Sequence, residues 1–294
     1  MSELGKKVAK AIERYKMFEP EEGYYLAFSG GKDSVVIKAL AEMAGVKYDA
    51  HYNLTSVDPP ELVHFIKEKH ADVAIDIPRY KDGRQITMWN LIPKKLMPPT
   101  RIVRYCCSEL KERGGEGRMT ITGVRWAESS ARAKNQGIVT VVDKRAAKLK
   151  DEDPNFMSTN RGGMVLNNAN SESRRLVESC YKKLKTVLNP IIDWTDKELW
   201  DFIKAEGIPY CSLYDEGMSR LGCVGCPMAR QHGREREFLR WPTYKKAYIR
   251  AFDKMVEERK ARGKKCMWET GRDVFNWWME YDILPGQIDL FEED

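Results

Sequence analysis

The sequence predicts an α/β protein: a mostly parallel sheet with helices on both faces, followed by a helical extension that carries cysteines. Three observations predict it. Through the first half of the chain, short β-branched and aromatic runs alternate with amphipathic stretches; strands joined in that rhythm need crossover connections and pair in parallel. Directly after the first of those runs comes a Gly-Gly pair, in LAFSGGKDSVV at residues 26–36, where a strand hands over to a helix. From Ile208 onward the β-branched runs give out, and a cysteine-bearing loop leads into stretches rich in charged and aromatic residues.

Taken in order, the opening MSELGKKVAKAIERYK alternates charged and apolar residues at helical spacing. YYLAFS reads as the first strand, and DSVVIKALAEMAG as a helix ended by Gly45. KYDAHYNL reads as the second strand, and PPELVHFIKEKH as a helix entered through its prolines. DVAIDI, MTITGV and GIVTVVD are further strand candidates. From about residue 144 the pattern loosens into a loop, DEDPNFMSTNRGG, and then into basic, partly helical sequence up to Lys185. TVLNPIIDW reads as one more strand or extended entry. TDKELWDFIKAEG is then a helix with Thr195 as its cap, Glu198 three residues on and Gly207 at its end. The expected domains are residues 1–194, an α/β domain with a basic insertion at about 144–185, and residues 195–294, a helical segment.

Composition narrows the function classes. Hydrophobic residues make up 42% and charged residues 32%, with a mean hydropathy of −0.57. No apolar run approaches the roughly 18 residues that a membrane helix needs, and the opening lacks a signal peptide's apolar core. The expectation is a cytoplasmic protein with no membrane partner. Seven cysteines are too sparse for a disulfide scaffold, and clustered cysteines in a reducing compartment point to metal or redox chemistry. The net charge of +6 is uneven: residues 144–185 hold ten Lys or Arg against five Asp or Glu. Such a surplus suits a polyanionic partner, nucleic acid among them, and Arg230, Arg234, Arg236 and Arg240 would extend the surface.

The phosphate signal lies in SGGKDS. Gly30 and Gly31 admit positive φ and let backbone N–H groups approach an anion without a Cβ in the way. Those amides and the positive end of the following helix form a cradle. Lys32 would neutralise phosphate charge, and Ser29 and Ser34 offer hydroxyls. Asp33 is out of place beside an anion unless Mg²⁺ or a helix cap needs it. Asp58, before two prolines, is a candidate for nucleotide or Mg²⁺ contact and serves equally well as a helix cap. The pattern is neither G-x-x-x-x-G-K-[ST] nor G-x-G-x-x-G.

The cysteines divide into an adjacent pair, Cys106 and Cys107, and a Cys-x-x-Cys, Cys223 and Cys226. Four thiolates suit Zn²⁺ or an iron–sulfur cluster. Adjacent cysteines bite poorly on one tetrahedral ion but reach two irons of a cubane, which favours a [4Fe–4S] cluster over zinc or unligated thiols.

SGGKDS resembles the PP-loop of the ATP pyrophosphatase superfamily, S-G-G-x-D-S, at every position. The resemblance implies an adenine nucleotide alpha-hydrolase-like fold and ATP as cofactor, cleaved between its α and β phosphates. GVRWAESSARA resembles the G-x-R-x-x-[EQ]-S-x-x-R element of the phosphoadenosine phosphosulfate (PAPS) reductase family. There Gly123 opens the element, Arg125 and Arg132 would meet phosphate or sulfate oxygens, and Glu128 and Ser129 would support them. NPIIDWTDKELWDFIKAEGIPYCSLYDEGMSRLGCVGCP resembles the family's later region, and the four-cysteine arrangement is similar to that of its adenylylsulfate reductase branch.

Within the family, the intact Lys32 and Asp33 favour ATP as substrate, since sulfonucleotide reductases have a degenerate loop. Those reductases also use a cysteine in a short C-terminal tail, and no cysteine follows Cys266 here. The chain therefore looks most similar to the branch that includes the sulfur-transfer component of DNA phosphorothioation systems. That resemblance implies adenylylation of an acceptor, with sulfur-donor and reductant proteins as partners. The alternatives are a sulfonucleotide reductase and a non-catalytic nucleotide-binding iron–sulfur sensor.

Overall fold

The computed structural model describes residues 2–112, 114–142, 157–158, 163–167, 169–170, 174, 177 and 185–281. Most of the basic stretch expected to meet nucleic acid, 144–185, lies outside them. The described helices are α1 (Glu3–Phe18), α2 (Lys32–Ala44), α3 (Pro60–Lys69), α4 (Met88–Lys95), α5 (Tyr105–Leu110), α6 (Ser130–Asn135), α7 (Asp196–Ala205), α8 (Gln231–Arg240), α9 (Pro242–Ala261) and α10 (Gly271–Trp278). The strands are β1 (Tyr24–Ala27), β2 (Tyr48–Asn53), β3 (Ala74–Asp76), β4 (Thr120–Ile121), β5 (Val139–Val141), β6 (Met157–Ser158), β7 (Met164–Leu166) and β8 (Thr186–Leu188).

The chain forms two compact units: residues 1–53, 60–76 and 114–221 in the first, and 54–59, 77–113 and 222–294 in the second. They do not follow the boundary expected at 194, because α7 and the segment up to residue 221 stay with the sheet while residues 77–113 join the C-terminal helices. Strands leave a sheet and return to it by chain crossovers, so one unit need not be one stretch of sequence.

All the described strands lie in the first unit and form one sheet, in the order β3-β2-β1-β4-β8-β5-β7-β6. The run from β3 to β8 is parallel, whereas β5, β7 and β6 add antiparallel. The mostly parallel α/β fold is thus as the sequence predicts, and the antiparallel β6–β7 pair is an element it did not. β1 is a near-continuous apolar run, as a strand in a parallel sheet requires. It ends at Ala27, earlier than YYLAFS suggests, so that Phe28 to Gly31 are free to turn into α2. Val35, Val36, Ile37 and Leu40 of α2 are all buried, and α1 packs on this helix, where Tyr15 Oη donates to Ile37 O at 2.7 Å. Each such side chain contributes on the order of 1.5–3 kcal/mol by leaving water.

In the second unit α9 packs against α4 and α10. Trp278 is its centre, with Phe238, Tyr248, Phe252 and Phe275 around it and its Nε1 donating to Pro99 O at 2.6 Å. Arg234 does not belong to an exposed basic surface: it is 1% exposed, donating to Trp278 O at 2.6 Å and pairing with Glu280 at 3.0 Å. Among the described residues, no helix is long and apolar enough to cross a membrane.

Candidate nucleotide site and cysteine cluster

The phosphate loop lies in the first unit, between the end of β1 and the start of α2. Gly30 has φ +71°, and a Cβ there would stand 2.7 Å from Leu62 Cδ1 and 2.8 Å from Ile66 Cδ1 of α3. Gly31 is the extended N-cap of α2 and has no side chain to cap the helix. The serines shape the loop locally. Ser34 Oγ donates to Gly31 O at 2.8 Å, Ser29 Oγ to Ser34 Oγ at 3.3 Å, and Gly31 N–H donates to Ser29 Oγ at 3.4 Å.

Lys32 is 7% exposed, and its ammonium is 3.8 Å from Asp33 and 3.9 Å from Asp196. Arg125, 2% exposed, joins the same carboxylates: its Nε donates to Asp33 Oδ1 at 2.6 Å and its Nη2 to Asp196 Oδ1 at 2.5 Å. Burial works against the Arg125 charge, but Asp33 and Asp196 outweigh it and raise the pKa. Two cations thus face two carboxylates across the starts of α2 and α7. Gly123 allows this closeness, since a Cβ there would be 2.8 Å from Asp33 Cβ. A magnesium ion commonly takes one or two carboxylates and completes its shell with substrate phosphates and water, and Asp33 and Asp196 supply that donor type.

The rest of the arginine element turns on Glu128. Its Oε2 accepts Arg125 N–H at 3.0 Å and pairs with Arg132, whose own N–H is accepted by Ser129 Oγ at 3.2 Å. Burial first, and then the neighbouring Arg220 guanidinium, lower the Arg132 pKa. Like charges gathered this way favour an anion between them. The structure therefore brings Lys32, Asp33, Arg125 and Arg132 together and adds Asp196 and Arg220, which the sequence reading did not single out as site residues. Asp196 reads in sequence only as an acidic first-turn residue, favourable to the helix dipole.

Asp58 belongs to the second unit. Its Oδ2 accepts Thr55 N–H at 2.7 Å, a bond within the turn that precedes α3. Cys106 and Cys107 lie on α5 of that unit, and Cys223 and Cys226 on a turn closed by Cys226 N–H to Cys223 O at 3.2 Å. All four are free thiols. The Cys106 pKa is raised, first by hydrogen bonding with Cys107 and further by burial and by Cys107, Cys223 and Cys226. Cys107 is the thiolate partner, held down to about 6 by Cys106, with Lys111 and Arg104 assisting. Burial pushes the Cys223 thiol up, while the Lys111 ammonium bonds that sulfur and is raised in return.

The charges of Cys107, Cys223 and Cys226 all act on Cys106. Among the described residues, however, no group of three or more His, Cys, Asp or Glu side chains has the spacing of a bound metal ion. Four thiols are the donor type that an iron–sulfur cluster or a zinc ion takes.

A strand, a glycine-rich turn and a helix N-terminus on an open parallel sheet, with basic side chains gathered about the turn, define a nucleotide-binding α/β protein. The chain belongs to the phosphoadenosine phosphosulfate reductase domain family, whose profile matches residues 23–229. An uncharacterised protein of Methanocaldococcus jannaschii is 26% identical over 274 residues, 90% of this chain and 54% of that one. An adenosine 5'-phosphosulfate reductase of Shouchella clausii is 36% identical over 61 residues, 21% of this chain and 24% of its own. The chain thus spans about half of the first relative and a quarter of the second. The crystal structure of a phosphoadenylyl-sulfate reductase from Candida auris, in complex with phosphate, is 14% identical with a TM-score of 0.44, covering 77% of this chain and 97% of that one.

Proposed function

We propose that the chain binds ATP at the phosphate loop and cleaves it between the α and β phosphates, activating an acceptor for sulfur transfer. The observation that carries this reading is the intact Lys32–Asp33 pair at the start of α2, held by ion pairs with Arg125 and Asp196. An acceptor oxygen attacks the α phosphorus, the bond to the bridging oxygen breaks, and pyrophosphate leaves with the electron pair. Lys32 and the loop amides hold the charge that develops on it, with Arg125 and Arg132 steadying the α phosphate. Cys106, Cys107, Cys223 and Cys226 would hold a [4Fe–4S] cluster, which supplies redox or sulfur-handling chemistry when bound. Nucleic acid as the acceptor rests on the ten-to-five charge surplus of residues 144–185, and sulfur-donor and reductant proteins complete the reaction.

A second reading, reduction of a sulfonucleotide, is favoured by the similarity to the Shouchella reductase. The test is pyrophosphate release from ATP by protein purified without oxygen, with Lys32→Ala as control and iron measured on the same sample. Release through Lys32 with about four irons per chain is the expected outcome for a [4Fe–4S] protein. Reduction of adenylylsulfate with ATP left intact would give the site to the second reading.

A further inference from the structure

One short segment of the first unit, Cys211 to Leu221, takes both donors of Lys32 that a phosphate would use. The Lys32 main-chain N–H, the first donor of α2, gives its hydrogen to Tyr214 Oη at 2.9 Å. The Lys32 ammonium donates to Ser219 O at 3.3 Å and lies 5.9 Å from the Tyr214 ring centroid. The same hydroxyl would be 3.4 Å from a Cβ on Gly31, so it stands directly against the cradle. The segment is a closed turn rather than a loose tail: Gly217 N–H donates to Tyr214 O and Met218 N–H to Leu213 O, each at 3.1 Å. Trp200 of α7 backs the Tyr214 ring edge-on at 5.2 Å, and also meets Tyr210 at 5.2 Å.

We propose that Tyr214 is a gate on the phosphate loop, its hydroxyl holding the place of a phosphoryl oxygen until a pyrophosphate-type anion displaces it. This deepens the ATP-cleaving reading and rests on it. A phosphoryl oxygen carries charge and bonds an amide more strongly than a neutral phenol does, so the exchange is favourable. An anion with two phosphoryl groups reaches the amide and the ammonium together and replaces Tyr214 and Ser219 in one step, whereas a lone phosphate or sulfate leaves one of them in place. Tyr214 thereby admits a polyphosphate tail in preference to a single tetrahedral anion.

The test is calorimetric binding of pyrophosphate, inorganic phosphate and sulfate to the full chain, its Tyr214→Phe variant and its Lys32→Ala variant. Tryptophan emission is recorded in parallel, with Trp200→Phe as the control. Tyr214→Phe removes only the hydroxyl and leaves the ring against Trp200. Without a competitor to displace, it should bind pyrophosphate roughly 3- to 10-fold more tightly than wild type, the worth of one neutral hydrogen bond. Pyrophosphate should bind wild type more tightly than phosphate or sulfate and change an emission that Trp200→Phe no longer shows. Equal or weaker pyrophosphate binding by Tyr214→Phe would overturn the gate and leave the ATP reading standing. Wild type that binds pyrophosphate no better than Lys32→Ala would overturn both.

Discussion

Gly30 offers a substitution whose effect separates into two parts. Gly30 and Gly45 hold nearly the same backbone conformation, φ +71° and +68°, one at the phosphate loop and the other ending α2. An alanine at Gly45 meets nothing within 4 Å among the described residues, so Gly45→Ala carries the backbone cost alone. That cost is about 1–2 kcal/mol, offset by roughly 0.4–1 kcal/mol from a less flexible unfolded chain. At Gly30 the new methyl also meets Leu62 Cδ1 at 2.7 Å and Ile66 Cδ1 at 2.8 Å. Ends of aliphatic side chains can swing aside, but these two are 1% and 0% exposed, and room must come from the core. Overpacking of that kind costs about 1–3 kcal/mol, so Gly30→Ala should lose about 2–4 kcal/mol where Gly45→Ala loses about 1. Urea denaturation followed by far-ultraviolet circular dichroism measures both, and pyrophosphate binding to folded Gly30→Ala should weaken as the cradle shifts. If Gly30→Ala is no less stable than Gly45→Ala, the packing of the loop on α3 is not what demands glycine there.

Arg125→Met leaves Asp33 and Asp196 with Lys32, 3.8 and 3.9 Å away, as the cation they still share, and removes the two closer bonds. Because the Asp196 side chain is 66% exposed, the loss should fall at or below the low end of the range for broken buried pairs, about 2–3 kcal/mol, and Arg125→Lys should restore only part of it in the same denaturation assay. Burial, and then the charge of Lys38, hold the His70 imidazole below its ordinary pKa, with Asp72 and Glu42 opposing. The unfolded chain then binds the extra proton, so this contribution is complete above about pH 6.5 and declines as pH falls below it. His70→Leu should flatten that slope in a melting-temperature series, and Nε2 has no hydrogen-bond partner among the described residues to lose. Burial would raise the Asp193 carboxyl, yet the hydrogen bonds of Arg14 at 2.8 and 3.0 Å hold it below its ordinary range. Its stabilisation is present above about pH 4 and lost as pH falls through the depressed value, so the melting deficit of Asp193→Asn should be full at pH 7 and shrink in acid.

What was legible in the sequence is local. Strand, glycine turn and helix start lie within a dozen residues, and their chemistry follows from φ, a missing Cβ and the first amides of a helix. The same holds for α7, where Thr195 Oγ1 accepts Glu198 N–H at 3.2 Å and Glu198 Oε2 accepts Thr195 N–H at 2.7 Å, the reciprocal cap that the spacing predicts. Partnerships across the chain left no such trace. Asp196 meets Arg125 from 71 positions away, and Tyr214 meets Lys32 from 182. An aspartate in a first helical turn has a sufficient local reason to be there, and so does a tyrosine among turn residues, and neither reason involves the partner.

Arg234 shows the same limit from the opposite side. In QHGREREFLRW a run of arginines reads as solvated surface, because arginine is almost never fully buried unless it is paired. Its partners, the Trp278 carbonyl and Glu280, are 44 and 46 residues further on, so the exception is decided by how α8 meets the end of α10. Charge counted along a sequence therefore overstates the cationic surface wherever a helix buries its arginine against another helix's last carbonyls. The surplus on which the proposed nucleic-acid contact rests is the one in residues 144–185, and mutation of Arg230, Arg236 and Arg240 tests whether the exposed members of the second run add to it. Under counterion release, each arginine that had neutralised a phosphate should, once removed, make the slope of log affinity against log salt shallower by about 0.7 on a single strand or 0.9 on a duplex. An unchanged slope in the triple variant would confine any nucleic-acid binding to the insertion.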